Sequence, residues 1–183
     1  MSKATYTAAV LAAGVLMGYV AGGWPVGAQG GVTKLAGSPT HVGMIVPDVE
    51  KASKDLAELF GLEYKVPAEF SAMVYPANYK GDPKGHPKVV SYKIADNLSI
   101  ELLQPIGGKS PWRDFLDSTG GVGGLHHIAI AARGIDQYMA FLSTKGGTVE
   151  FGGSASVTPQ SYAYVNMRPR LGMTIELNGP PQP

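Results

Sequence analysis

HVGMIVPDVEKASKDLAELFGLEYKV, residues 41–66, reads as strand, helix, strand. Pro47 ends the strand because it lacks the N–H that a sheet ladder needs. Asp48 offers an N-cap oxygen, Glu50 places negative charge in the first turn, and Gly61 supplies a left-handed stop. Between them Ala52, Leu56, Leu59 and Phe60 recur at helical spacing as the expected apolar stripe, and LEYKV (62–66) is the expected second strand.

The same sentence is written again from His127. HIAIAA leads into GIDQYMAFLSTKG and then TVEF, with Ile135, Tyr138, Met139 and Leu142 on the expected buried face and Gly146 and Gly147 at the stop. His127 follows His41 by 86 residues, and Gly147 follows Gly61 by the same 86, which is an internal repeat. Each copy closes with a hairpin. Val89–Ile94 turns through Ala95, Asp96 and Asn97 into LSIELL with Glu101, and Ser161–Val165 turns through RPRLG into MTIEL with Glu176. The His-to-Glu spacing is 60 in the first copy and 49 in the second, and the long loop from Pro67 to Pro87 houses the difference. The expected fold class is therefore α+β: two tandem βαβββ modules, 39–104 and 125–179, forming curved mixed sheets. A connector, 105–124, joins them, with a short helix at Trp112–Leu116.

The chain has 183 residues, 44% hydrophobic and 16% charged, which suits a folded chain and excludes a disordered one. Its 15 Lys and Arg against 14 Asp and Glu, with no basic stripe, exclude nucleic acid as the expected partner. With no Cys, thiolate metal sites, disulfides and a cysteine nucleophile are excluded, so any metal must be held by nitrogen and oxygen. Residues 1–28 have the anatomy of a signal peptide: Lys3, then the apolar run Ala8–Ala21, then small residues ahead of Gln29. Cleavage after Ala28 and export, to the periplasm or beyond, is the expectation. The alternative is an uncleaved N-terminal membrane anchor spanning Thr5–Trp24.

Strand alternation assigns faces. His41, Gly43 and Ile45 share one face, His127, Ala129 and Ala131 its counterpart, and the small residue two after each His leaves room above the sheet. Glu101 sits with Ser99 and Leu103, opposite Ile100 and Leu102, and Glu176 sits with Thr174 and Asn178, opposite Ile175 and Leu177. A carboxylate on such a face must be paired, ligated or solvated. Any one of the four reads equally well as an ordinary core or surface residue; all four in a duplicated frame point to a shared metal ion. His126 is expected on the face opposite His127, in a structural role. His86, in the loop, is a candidate substrate contact. Tyr75, Tyr79 and Tyr92 are candidates to line an aromatic pocket, and Glu69 is a weaker candidate base.

ELLQPIGGKSPWRDFL followed by GGLHHIAI resembles the vicinal oxygen chelate superfamily (glyoxalase, bleomycin resistance and dioxygenase proteins) over roughly Pro39–Gly179, and within it methylmalonyl-CoA epimerase and glyoxalase I. The resemblance implies His41, Glu101, His127 and Glu176 as ligands of one divalent ion, which zinc, nickel, cobalt, manganese or iron would satisfy. It implies an isomerase, epimerase or lyase that chelates two vicinal oxygens of a small-molecule substrate and moves a proton through an enolate, with Glu176 or Glu101 as base. It also implies a homodimer. Two departures stand out. The strand KVVSYKI offers Ser91 and Lys93 but no carboxylate where some epimerases place a second acid. Export also argues against methylmalonyl-CoA itself, because CoA thioesters are cytosolic. Two further readings are an iron-dependent extradiol-type dioxygenase, against which a fourth protein ligand counts, and a non-catalytic sequestering protein, against which a complete ligand set counts.

Overall fold

The computed structural model describes residues 32–70, 85–154 and 161–179. The expected leader, and Tyr75 and Tyr79, lie outside them. Among the described residues no helix is long and apolar enough to cross a membrane.

The first half runs β1 (Ser38–Ile45), α1 (Val49–Phe60), β2 (Ala68–Glu69), β3 (His86–Ala95) and β4 (Leu98–Ile106). Helix α2 (Pro111–Ser118) follows, and then the second half: β5 (Gly124–Ala131), α3 (Ile135–Thr144), β6 (Thr148–Ser154), β7 (Ser161–Asn166), the single turn α4 (Arg168–Leu171) and β8 (Thr174–Gly179). The strands form one open, curved, mixed sheet in the order β2-β3-β4-β1-β5-β8-β7-β6. Each half therefore repeats the same order outward from a centre where β1 and β5 pair antiparallel, while β1–β4 and β5–β8 are the parallel contacts.

The punctuation acts as expected. Asp48 accepts a hydrogen bond from the Lys51 N–H, and Gly61 ends α1 with φ 62°. Ser110 caps α2 from a fully buried position, followed by Pro111, whose missing N–H costs nothing in a first turn.

Helices α1 and α3 cover the outer face. Helix α3 buries Ile135 and Leu142, with Tyr138 and Met139 partly buried, against Ala163, Val165, Ile175 and Leu177. Helix α1 departs from its expected stripe. Val49, Ala52, Ser53, Leu56 and Ala57 face Val90, Tyr92, Ile100 and Leu102, whereas Leu59 and Phe60 are 81% and 53% exposed. The stripe begins one position after the cap, and a serine inside it hid the register.

LEYKV is not a strand. The Lys65 N–H donates to the Tyr92 hydroxyl, the Lys65 carbonyl accepts from the Ser53 hydroxyl, and the second strand forms later, at Ala68–Glu69. Side chains of α1 and β3 have taken the backbone groups that a ladder would use. The RPRLG turn is also more regular than expected, forming α4.

The inner face holds a second core. Trp112 and Leu116 of α2 pack on Ile45, Val89, Leu103, Tyr162 and Tyr164, closing one end of the concave surface. Burying an aromatic of that size contributes on the order of 3 kcal/mol.

Candidate metal centre

Strand register builds the site as two adjacent rows across the inner face. One row runs Ser99, His41, Ala129, Glu176, Tyr164 across β4, β1, β5, β8 and β7. The next runs Ser91, Glu101, Gly43, His127, Thr174 across β3, β4, β1, β5 and β8. In each row one small residue separates a histidine from a glutamate, so the four polar groups lean over Ala129 and Gly43 and meet. In both halves the residue two beyond the histidine pairs with the glutamate, which is the repeat expressed in register.

The ligand atoms of His41, Glu101, His127 and Glu176 all lie within 4.8 Å of one another. Glu176 Oε2 is 2.9 Å from His41 Nε2 and 3.0 Å from His127 Nε2, and the two Nε2 atoms are 3.3 Å apart. Glu101 Oε2 stands further off, 3.5 Å from His41 and 3.8 Å from His127. Bonds of about 2.1 Å to one ion would put neighbouring ligand atoms about 3 Å apart and opposite ones about 4.2 Å, a range these separations match. Two neutral imidazoles and two carboxylates balance a 2+ charge, and the nitrogen and oxygen set suits a first-row divalent ion.

Ion-free, the cluster is electrostatically awkward. Burial pushes the Glu101 carboxyl up; the imidazoles of His41 and His127 oppose this, while Glu176 adds to it. Burial likewise raises Glu176, but hydrogen bonds from His127 and His41, with their charge, outweigh it and hold that carboxyl at about 2. For His41 burial opposes protonation, yet the Glu176 hydrogen bond and the charges of Glu176 and Glu101 hold it above the ordinary imidazole range. A cation held there would offset the burial of the two carboxylates and their mutual repulsion.

The surroundings correct three expectations. Gly43 does not leave room for substrate: a Cβ there would lie 1.9 Å from His127 Cε1 and 2.1 Å from Nε2, so the missing side chain is the space the His127 ring occupies. His126 does not point away from His127. A bulge in β5 lets Gly43 pair with His127 and Met44 with Leu125, leaving His126 as the extra residue. Its Nδ1 is 2.9 Å from His127 Nδ1, and both rings are fully buried. Burial first, then the neighbouring His127 and Arg168, holds the His126 imidazole well below its ordinary range. Tyr92, expected in a substrate pocket, lies on the outer face under α1 with its hydroxyl 2.6 Å from Ser53 Oγ.

Glu69 and His86 are not part of the four-residue group. Glu69 sits on the edge strand β2, 59% exposed, 3.7 Å from His86 Nε2. Tyr164 was not anticipated. It is hydrogen-bonded to Glu176, its ring stands edge-on to His127 with centroids 5.1 Å apart, and burial raises its hydroxyl pKa. The Tyr162-Ala163-Tyr164 alternation, next to the strand that carries Glu176, was the available signal.

The profile of the Glyoxalase/Bleomycin resistance protein/Dioxygenase superfamily matches residues 40–164, well over half of the chain. The chain belongs to that superfamily. Among curated superfamily relatives, an ethylmalonyl-CoA/methylmalonyl-CoA epimerase of Cereibacter sphaeroides is 32% identical over 94 residues, 51% of this chain and 60% of that protein. The mitochondrial methylmalonyl-CoA epimerase of Mus musculus is 33% identical over 109 residues, 60% of this chain and 53% of that protein. The chain thus spans little more than half the length of these relatives. The methylmalonyl-CoA epimerase of Mycobacterium tuberculosis has a similar superfamily fold, with TM-score 0.55 and 18% identity over 82% of this chain and 95% of that one.

Proposed function

We propose that the chain is a metal-dependent epimerase or isomerase in which His41, His127, Glu176 and Glu101 hold a divalent ion and Glu101 moves the proton. The observation that carries the reading is the inequality of the two carboxylates. Glu176 is buried between both imidazoles, with its Oε2 2.9 Å from His41 Nε2 and 3.0 Å from His127 Nε2, which hold it in place. Glu101 makes longer contacts, 3.5 Å and 3.8 Å to the two imidazoles, and keeps 22% of its side chain exposed, so it is the carboxylate freer to reach a substrate carbon. A divalent ion bound there supplies positive charge that offsets negative charge developing on two neighbouring substrate oxygens.

The remaining work falls to the chain. Glu101 accepts the proton from the carbon beside the substrate carbonyl and carries it as the neutral acid; the planar enolate turns over in the site and takes the proton back on its opposite face, so the step inverts the carbon and is balanced without a co-reactant. Tyr164 and the two imidazoles restrain Glu176. Trp112, Leu103 and Ile45 keep one end of the inner face dry. The names of the relatives support a 2-substituted malonyl thioester, whose reacting carbon lies between two carbonyls. The expected leader favours a thioester carrier other than CoA.

The test is deuterium exchange in D2O, read by proton NMR, of a 2-methylmalonyl thioester carried on CoA and on pantetheine, with the protein loaded in turn with zinc, nickel, cobalt, manganese and iron. Exchange that needs the metal and falls at least about 100-fold in Glu101→Gln is expected. Metal uptake without exchange on either thioester would overturn the proton-transfer reading.

A further inference from the structure

The pairing between β1 and β5 is broken twice, and each break falls on the residue before a histidine of the cluster. Pro39 pairs with Ile130 and His41 with Ala129, leaving Thr40 extra on β1; Gly43 pairs with His127 and Met44 with Leu125, leaving His126 extra on β5. Thr40 and His126 are equivalent across the 86-residue repeat. In a regular strand each would point away from the histidine that follows it. The bulges turn both back: Thr40 Oγ1 reaches 3.5 Å from His41 Nδ1, and His126 Nδ1 reaches 2.9 Å from His127 Nδ1.

Two buried Nδ1 atoms at 2.9 Å must share one proton, and chemistry decides which ring owns it. The Nε2 of His127 faces the cluster, 3.0 Å from Glu176 and 3.3 Å from His41. If that nitrogen gives its lone pair to an ion, the ring keeps its proton on Nδ1, and a fully buried Nδ1–H requires an acceptor. We infer that His126 is a positioning residue that accepts this hydrogen bond through Nδ1, fixing the tautomer and orientation of His127 so that its Nε2 lone pair faces the metal. His126 then carries its own proton on Nε2, an atom with no hydrogen-bond partner among the described residues. Phe115 closes over the His126 ring, edge-on with centroids 5.0 Å apart, and Arg168 stacks on the same Phe115. His126 is therefore clamped from behind while its Nδ1 is presented to His127.

The inference rests on the metal-centre reading above, and the experiment separates the two. Zinc affinity is measured by chelator competition for the wild-type chain, His126→Asn and His126→Leu. Asparagine keeps an acceptor oxygen where Nδ1 stood, and leucine keeps bulk without one. We expect a loss of about 10–100-fold for the leucine variant and less than about threefold for the asparagine variant, the range seen when the outer partner of a metal-bound histidine is removed. In parallel, NMR of the zinc-loaded wild-type chain with 15N-labelled histidine is expected to show scalar coupling across an N–H···N bond between the two Nδ1 atoms. That readout stands even if the leucine variant fails to fold. Affinity unchanged in His126→Leu, an asparagine variant as weak as the leucine one, or no coupling in the zinc form overturns the role of His126 and leaves the metal centre intact. A wild-type chain that takes up no zinc overturns the centre and this inference with it.

Discussion

Replacing Gly43 with alanine adds one carbon at the most crowded point of the inner face. That Cβ would stand 1.9 Å from His127 Cε1, 2.1 Å from Nε2 and 2.4 Å from Nδ1. Carbon atoms in contact need about 3.5 Å, so the imidazole must retreat by roughly 1.6 Å. There is little room to do so, because His127 is fully buried with Tyr164 and His126 against it. A metal ligand tolerates displacement of about 0.2 Å, so a shift eight times larger removes His127 from the coordination set. Gly43→Ala is therefore expected to lower zinc affinity at least about 100-fold, read by chelator competition, and to cost about 1–3 kcal/mol of stability through overpacking. Gly61→Ala is the control. It is strained at φ 62°, yet its Cβ would meet nothing within 4 Å, so it should cost about 1 kcal/mol and leave zinc affinity unchanged. A Gly43→Ala protein that binds zinc like wild type would refute the reasoning.

The ion-free protein should prefer mildly acidic pH. Raised folded values for His41 and Glu101 give stability that is present below their ordinary values of 6.5 and 4.5 and is lost as pH rises through the folded ones. Glu176, held at about 2, adds stability above 4.5 that is lost only as pH falls toward 2. Metal affinity should run the other way, weakening about tenfold per unit as pH drops below the raised value of His41, because the ion must displace that proton; flat affinity between pH 8 and 5.5 would contradict the assignment. Glu176→Gln removes the carboxylate nearest both imidazoles and should abolish both tight zinc binding and deuterium exchange, measured on the same preparation. Tyr92→Phe should cost about 1–3 kcal/mol in a denaturant titration, by stranding the Lys65 N–H and Ser53, with zinc affinity unchanged because the ring lies on the outer face. Expressed with its leader in a bacterial host, the chain should be recovered from the periplasm beginning at Gln29, as N-terminal sequencing would read; an intact leader would favour the anchor.

Much of the architecture is local and was therefore legible. Pro47, Asp48 and Gly61 act on their nearest neighbours, helix α3 keeps a 3.6-residue period, and the 86-residue repeat needs no partner strand to be seen. Alternation along β1, β4, β5 and β8 fixed which strand neighbours share a face with His41, Glu101, His127 and Glu176, because a strand's two faces follow from its own backbone. What escaped depends on residues far apart in the chain. The segment 62–66 lost its strand to hydrogen bonds from Tyr92 and Ser53, and Tyr92 went to the outer face with β3.

The amino-acid sequence by itself determined the duplicated α+β plan, the recurrence of one histidine and one glutamate in each half, and the absence of any thiolate ligand. Only the tertiary structure decided that both halves of one chain meet edge to edge through β1 and β5, so that four ligand atoms converge without a second copy. It also decided the register of that meeting, where a one-residue bulge reverses the face of His126 and an absent Cβ at Gly43 admits the His127 ring. Register is set by packing across the sheet rather than by the order of neighbours along a strand, and a single residue of slip exchanges the faces.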